Sequence, residues 1–227
     1  MHMPKALLLQ IVLPAIALLT GLLTLSADAV AHPHVWVTVK ATVLYENGKI
    51  TGLRQAWTFD EMYTQMAIEG LDTNKDGKYD RDELKELAQV NIDGLKEFDY
   101  FTYAKLAGTD LKFNPPVDYW LEHSDKGDLT LHLTLPLQKP VPADSPDFQF
   151  SVYDPSFFIA FDFAKDAPVK LGAHAPANCS AAVQEPPQDD TTSDLQQLNK
   201  AFSNALGPGS TADFGGNKTI AVHCRRS

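Results

Sequence analysis

Apolar and polar positions alternate with a period of two over the segment that starts at Val35. Val35, Val37, Val39, Ala41 and Val43 fall on one side, and Trp36, Thr38, Lys40, Thr42 and Leu44 on the other. That alternation predicts a strand. Glu46-Asn47-Gly48-Lys49 follows. An Asn-Gly pair accepts positive φ at both central positions of a hairpin turn, so Ile50–Phe59 is expected to return beside the first strand. The period then changes. Tyr63, Met66, Ala67 and Gly70-Leu71 stand at helical spacing, and Leu84, Leu87, Ala88, Ile92 and Leu95 mark a second helix. Beyond Phe98 the pattern returns to strands, at Tyr100–Leu106, Val117–His123, Leu129–Leu137, Phe148–Tyr153, Phe157–Phe163 and Thr219–Cys224. Pro115, Pro116, Pro140, Pro142 and Pro146 punctuate them. Gln184–Ser193 is polar and reads as an exposed linker. Ser193 suits the cap of a short helix carrying Leu195, Leu198, Phe202 and Leu206 on one face, stopped by Gly207. No internal repeat occurs. The expected fold class is α+β: a mostly antiparallel β-sheet with an inserted EF-hand-like helix–loop–helix at about residues 60–98 and a short C-terminal helix.

The segment before the first strand reads as an address. Lys5 and the amino terminus supply a positive start, Ala6–Leu25 is almost continuously apolar, and Ala29-Val30-Ala31 is an A-x-A cleavage signal. Residues 1–31 are expected to be a signal peptide and residues 32–227 a single domain, periplasmic or secreted after cleavage. Membrane contact is expected only through the signal segment before cleavage. An uncleaved anchor is the competing reading, since about 20 apolar residues span a bilayer.

Composition narrows the classes. Among 227 residues, 19 are Lys or Arg and 29 are Asp or Glu, a net charge of −10. No basic cluster suits phosphate binding, so nucleic acid is not an expected partner. Cys179 and Cys224 are the only cysteines. In an oxidising compartment a lone pair is expected to join, closing a loop of about 45 residues worth roughly 4 kcal/mol in the chain-entropy description. Two metal thiolates, with His223 beside Cys224, are the alternative.

The strongest chemical signal runs from Asp72 to Glu83. Asp72, Asn74 and Asp76 offer side-chain oxygens at loop positions 1, 3 and 5, and Gly77 permits the sharp turn at 6. Lys78 offers its carbonyl at 7, Asp80 stands at 9 and Glu83 at 12. Calcium takes six to eight oxygens, and this spacing wraps them around one point. A solvated acidic helix start explains the acids but not Gly77 together with Glu83. No second such loop is visible, which points to a structural role for calcium.

Cleavage after Ala31 would expose His32-Pro33-His34. His32 would then offer its α-amine and ring, and His34 a further ring nitrogen, a donor set suited to Zn2+, Ni2+ or Cu2+. Any further ligand would come from a distant histidine such as His123, His132, His174 or His223. The bland readings place His34 on the outer strand face, His132 at the surface beside Thr130 and Thr134, and His174 in a loop. No nucleophile elbow, phosphate loop, dinucleotide fingerprint or His-Glu-x-x-His occurs, and no catalytic residue is assigned.

Five stretches together resemble a known bacterial family: His32-Pro33-His34-Val35, Trp57-Thr58-Phe59-Asp60-Glu61, the Asp72–Glu83 loop, Glu97-Phe98-Asp99-Tyr100-Phe101 and Val152-Tyr153-Asp154-Pro155. Their order is similar to that in the domain-of-unknown-function 1007 family of exported proteins, often labelled as periplasmic components of an uncharacterised transport system. The resemblance implies an accessory to a membrane metal transporter of the nickel or cobalt exporter type. The expected function is therefore a calcium-stabilised, metal-associated binding protein without catalytic activity. A structural or adaptor module binding only calcium is the first alternative. A copper enzyme with an N-terminal histidine brace is the second.

Overall fold

Val35, Val37, Val39, Ala41, Val43 and Tyr45 all point into one apolar core, as the period of two requires. The computed structural model describes residues 34–185 and 217–225. These first residues form β1 (Val35–Glu46), and β2 (Lys49–Phe59) returns antiparallel through Asn47 and Gly48, with φ of 49° and 72°. That is the turn the Asn-Gly pair predicts. Two helices follow, α1 (Glu61–Ile68) and α2 (Lys85–Leu95), then a 3-10 stretch, Lys96–Phe101. The rest is strand: β3 (Thr102–Leu106), β4 (Thr109–Leu111), β5 (Val117–His123), β6 (Leu129–Pro142), β7 (Phe148–Val152), β8 (Ile159–Phe163), β9 (Val169–Leu171), β10 (Cys179–Gln184) and β11 (Thr219–Cys224).

Two sheets share the core. The first has the order β5-β6-β2-β1-β8, with β9 also pairing β1; the second is β10-β11-β7-β3-β4. β8 and β9 run parallel to β1, and the other pairs are antiparallel. Leu129, Leu131, Leu133, Leu135 and Leu137 continue the buried stripe across β6. Where β2 shifts register against β6, a Cβ on Gly52 would sit 2.4 Å from the Leu135 carbonyl oxygen, so only glycine fits. Gln55 ties the sheets together from inside: its amide donates to Thr102 Oγ1 at 3.0 Å and its carbonyl accepts from the Trp57 indole at 2.8 Å. Phe150 of the second sheet meets Phe163 of the first.

The expected fold class needs correction. Among the described residues strand makes up 48% and helix 16%, so this part of the chain is mostly β, built as two sheets, with no EF-hand-like pair of helices. The reason is local. α1 has only eight residues and stops at Ile68; Glu69 turns extended at φ −55°, ψ 122°, and Gly70 takes φ 78°. The first helix therefore never runs into the acidic loop. Its start is fixed instead by Asp60, whose Oδ1 caps Tyr63 N at 2.9 Å while Oδ2 accepts from Trp36 N at 2.8 Å. Its buried positions are Thr64 and Ile68, and Met66 faces outward. α2 buries Ala88 and Ile92 with Leu84 just ahead of it, on the stripe the spacing indicates. The expected signal peptide and the helix at 193–206 lie outside the described residues.

Cys179 and Cys224 are register partners on β10 and β11 and form a disulfide, which removes the thiolate alternative. The Tyr45 hydroxyl is buried without a hydrogen-bond partner among the described residues, and burial pushes its pKa up to about 12. An unfolded Tyr ionises near 10 while the folded one stays neutral, so Tyr45 subtracts stability as pH rises from about 10 to 12. Tyr45→Phe removes the orphan hydroxyl. It is expected to raise stability at pH 7 by roughly 1 kcal/mol and to flatten the alkaline loss in urea unfolding curves.

Candidate metal site

The acidic loop folds back on itself through its own side chains. Asp72 accepts from Asp76 N at 3.2 Å and Gly77 N at 3.0 Å, and Asn74 Oδ1 accepts from Asp76 N at 2.9 Å. Asp76 accepts from Lys78 N at 2.8 Å, and Asp80 from Asp82 N and Glu83 N at 2.8 and 3.0 Å. Lys75 and Gly77 take the left-handed region, with φ of 62° and 79°. Glu83 closes the ring. Its Oε1 accepts from Thr73 N and Oγ1, both at 2.8 Å, and from Asn74 N at 3.3 Å; Oε2 accepts from Asp80 N at 3.2 Å. The Thr73 hydroxyl, then the Asp80 amide, hold the Glu83 carboxyl below its ordinary range. The last residue of the twelve is thereby bound to the second and third.

The donors are all oxygens: the side chains of Asp72, Asn74, Asp76, Asp80 and Glu83 and the carbonyl of Lys78. From these oxygens a hard cation such as calcium would draw its ligands. Among the described residues no three His, Cys, Asp or Glu side chains converge as a metal-holding group. In the loop the carboxylates are shared among backbone amides instead.

Two residues between the donors fasten the loop to β5, the edge of the first sheet. The Tyr79 ring meets His123 edge-on at 4.9 Å, and the Arg81 guanidinium lies 4.5 Å from the Trp120 ring centre. Trp120 in turn stacks on His132 at 4.5 Å. From α2, Gln89 accepts a hydrogen bond from the Tyr119 hydroxyl. His132 is only partly exposed and bonds Glu122 at 3.0 Å. Burial pulls its pKa down, and the Glu122 charge offsets part of that. Nothing in the sequence announced the Tyr79–His123 contact or the Arg81–Trp120–His132 stack.

Of the expected transition-metal pair, only His34 lies among the described residues. His34 is exposed, its amide bonds the Phe158 carbonyl at 2.8 Å, and its ring lies 4.9 Å from that of Phe158. His32 lies outside the described residues. His223 Nε2 is 3.1 Å from the Gln184 amide, and His174 sits in an exposed turn at φ 68°.

The model of the family described as protein of unknown function (DUF1007) matches residues 17–224. The chain belongs to that DUF1007 family. Both sheets, the acidic loop and the disulfide fall within the DUF1007 match. An uncharacterized protein of Haemophilus influenzae is 26% identical over 196 residues, covering 84% of this chain and 92% of that one. An uncharacterized 15.5 kDa protein in the trpE 3' region of Spirochaeta aurantia is 31% identical over 116 residues, covering 51% of this chain and 81% of its own.

Proposed function

We propose that this chain is an exported, calcium-stabilised binding module without catalytic machinery, an accessory to the membrane transport of a transition-metal ion. One observation carries the calcium reading: Glu83 reaches back across the loop to the amides of Thr73 and Asn74. The twelfth residue is thus already turned toward the first donors. Asp72, Asp76, Asp80 and Glu83 repel one another in water, and a divalent cation among them relieves that repulsion. Calcium would supply charge and order to the loop, and no chemical step. Export is supported by the A-x-A pattern before His32 and by the disulfide, which persists in oxidising compartments. The transport role rests on the family resemblance and on the His32-Pro33-His34 sequence, of which His34 stands exposed.

Calorimetric titration of the chelator-treated protein tests the calcium reading. One site is expected, and Glu83→Gln weakens it at least tenfold. Absence of binding heat in the folded wild type removes the calcium reading. Parallel titrations with zinc, nickel and copper test the second metal. Equal affinity in the wild type and the His32→Ala, His34→Ala double variant leaves an adaptor that binds calcium alone.

A further inference from the structure

Away from the acidic loop, an apolar cavity of about 130 Å3 lies between the first sheet and the two helices. Val37, Trp57, Leu131 and Phe161 line it from the sheet, Leu95 from α2, and Phe158 from the turn before β8. Its deep walls are fully buried: Val37, Trp57 and Leu131 are 3%, 1% and 0% exposed. Phe158, at 52%, marks the side that reaches solvent. Polar groups are few. The Trp57 indole N–H is already given to Gln55. The Tyr63 hydroxyl donates to Asn91 Oδ1 at 3.3 Å, and Asn91 Nδ2 donates to the Leu87 carbonyl at 2.9 Å. That pair leaves one phenol lone pair and one amide hydrogen for an outside partner.

The mouth is held in place at a conformational cost. Asp154 is buried and accepts four hydrogen bonds: from Ser156 N and Oγ at 2.8 and 2.7 Å, and from Phe158 N and Ile159 N at 3.1 and 3.0 Å. Phe157 is thereby kept at φ 59°, a region bulky side chains avoid. Such strain persists only where the surroundings over-determine it, and it gathers at ligand-binding positions. Here it displays Phe158 half exposed at the entrance, next to the strained Phe157 in the chain.

An enclosed apolar void of about 150 Å3 takes up benzene, and this one is close to it in volume. We propose that this cavity binds a free small molecule with a ring-sized apolar body and at most one hydrogen-bonding group, of the monocyclic aromatic class. A single ring fills the space, which leaves no room for the backbone of a docked peptide. Tyr63 and Asn91 would meet the one polar group. The site stands apart from the acidic loop and does not depend on calcium.

Toluene and p-cresol titrated into the purified chain, followed by the Trp57 indole N–H in 1H–15N NMR, test the site. Saturable shifts with a Kd at or below about 1 mM are expected, tighter for p-cresol. Leu95→Trp fills the void, so it should leave the Tm unchanged or raised and weaken both probes at least tenfold. If that variant fails to fold, Ile159→Phe serves the same purpose from the sheet side. Asn91→Leu should abolish the advantage of p-cresol over toluene. No saturable shift in the wild type, or undiminished binding in a folded filled variant, overturns the proposal.

Discussion

Saturating calcium is expected to raise the Tm of the purified chain by about 5–10 °C, and a chelator to return it to its starting value. Ligand present at 100 times its Kd stabilises the folded state by about 2.7 kcal/mol, and in a domain of this size each kcal/mol is worth roughly 2–4 °C. The gain is felt by the whole fold because the loop does not hang free. Tyr79 and Arg81 stand between the donors and rest on His123 and Trp120 of β5. Ordering the loop therefore secures the edge of the first sheet. Glu83→Gln is expected to lose most of the shift, because a neutral amide offers one oxygen where the carboxylate offers two. The Glu83 carboxyl is held below its ordinary pKa by Thr73 and the loop amides, so its bonds persist above the unfolded value and fade as pH falls through the folded one. The calcium shift should follow the same course into acid. A melting curve indifferent to calcium at neutral pH sinks this expectation.

Asp154→Ala is expected to cost about 3–5 kcal/mol in urea unfolding. One buried carboxylate satisfies four donors, and hydrogen bonds to a charged group contribute about 1.5–3 kcal/mol each before the remaining donors find water. The damage should also be directional. Ile159 opens β8 and pairs with Val35, and His34 N bonds Phe158 O, so the loss loosens the start of β1 along with the turn. Amide exchange should therefore rise at Val37 and Phe161 before it rises in β6. Asp154→Asn keeps one acceptor oxygen and is expected to fall between the wild type and Ala. A cost below about 1 kcal/mol for Asp154→Ala shows that water replaces the carboxylate freely and removes the argument that this residue enforces the strained Phe157.

The elements that sequence alone determined are those whose cause is local. The alternation from Val35 onward and the Asn47-Gly48 turn specify the first hairpin, because side-chain direction has period two and the turn needs positive φ. The stripe from Leu84 to Leu95 specifies α2 and its buried face. The run of leucines from Leu129 specifies β6. The spacing from Asp72 to Glu83 specifies a closed loop of oxygen donors: Asp72, Asp76 and Asp80 bond amides only a few residues away, and Glu83 reaches back to Thr73 and Asn74. The two cysteines face each other because both fall on strands that pair. Tertiary structure decided the rest. β4 and β9 are too short to show a period, and they exist because longer neighbours offer them unpaired edges. β8 and β9 lie parallel to β1, a choice no local pattern encodes. α1 carries apolar residues on more than one side, so packing chose Thr64 and Ile68 over Met66 for burial. The contact of Arg81 with Trp120 and the cavity beneath Phe158 join residues far apart in the chain. Their energies arise only once the sheet has brought those residues together, and so neither leaves a mark in any window of the sequence.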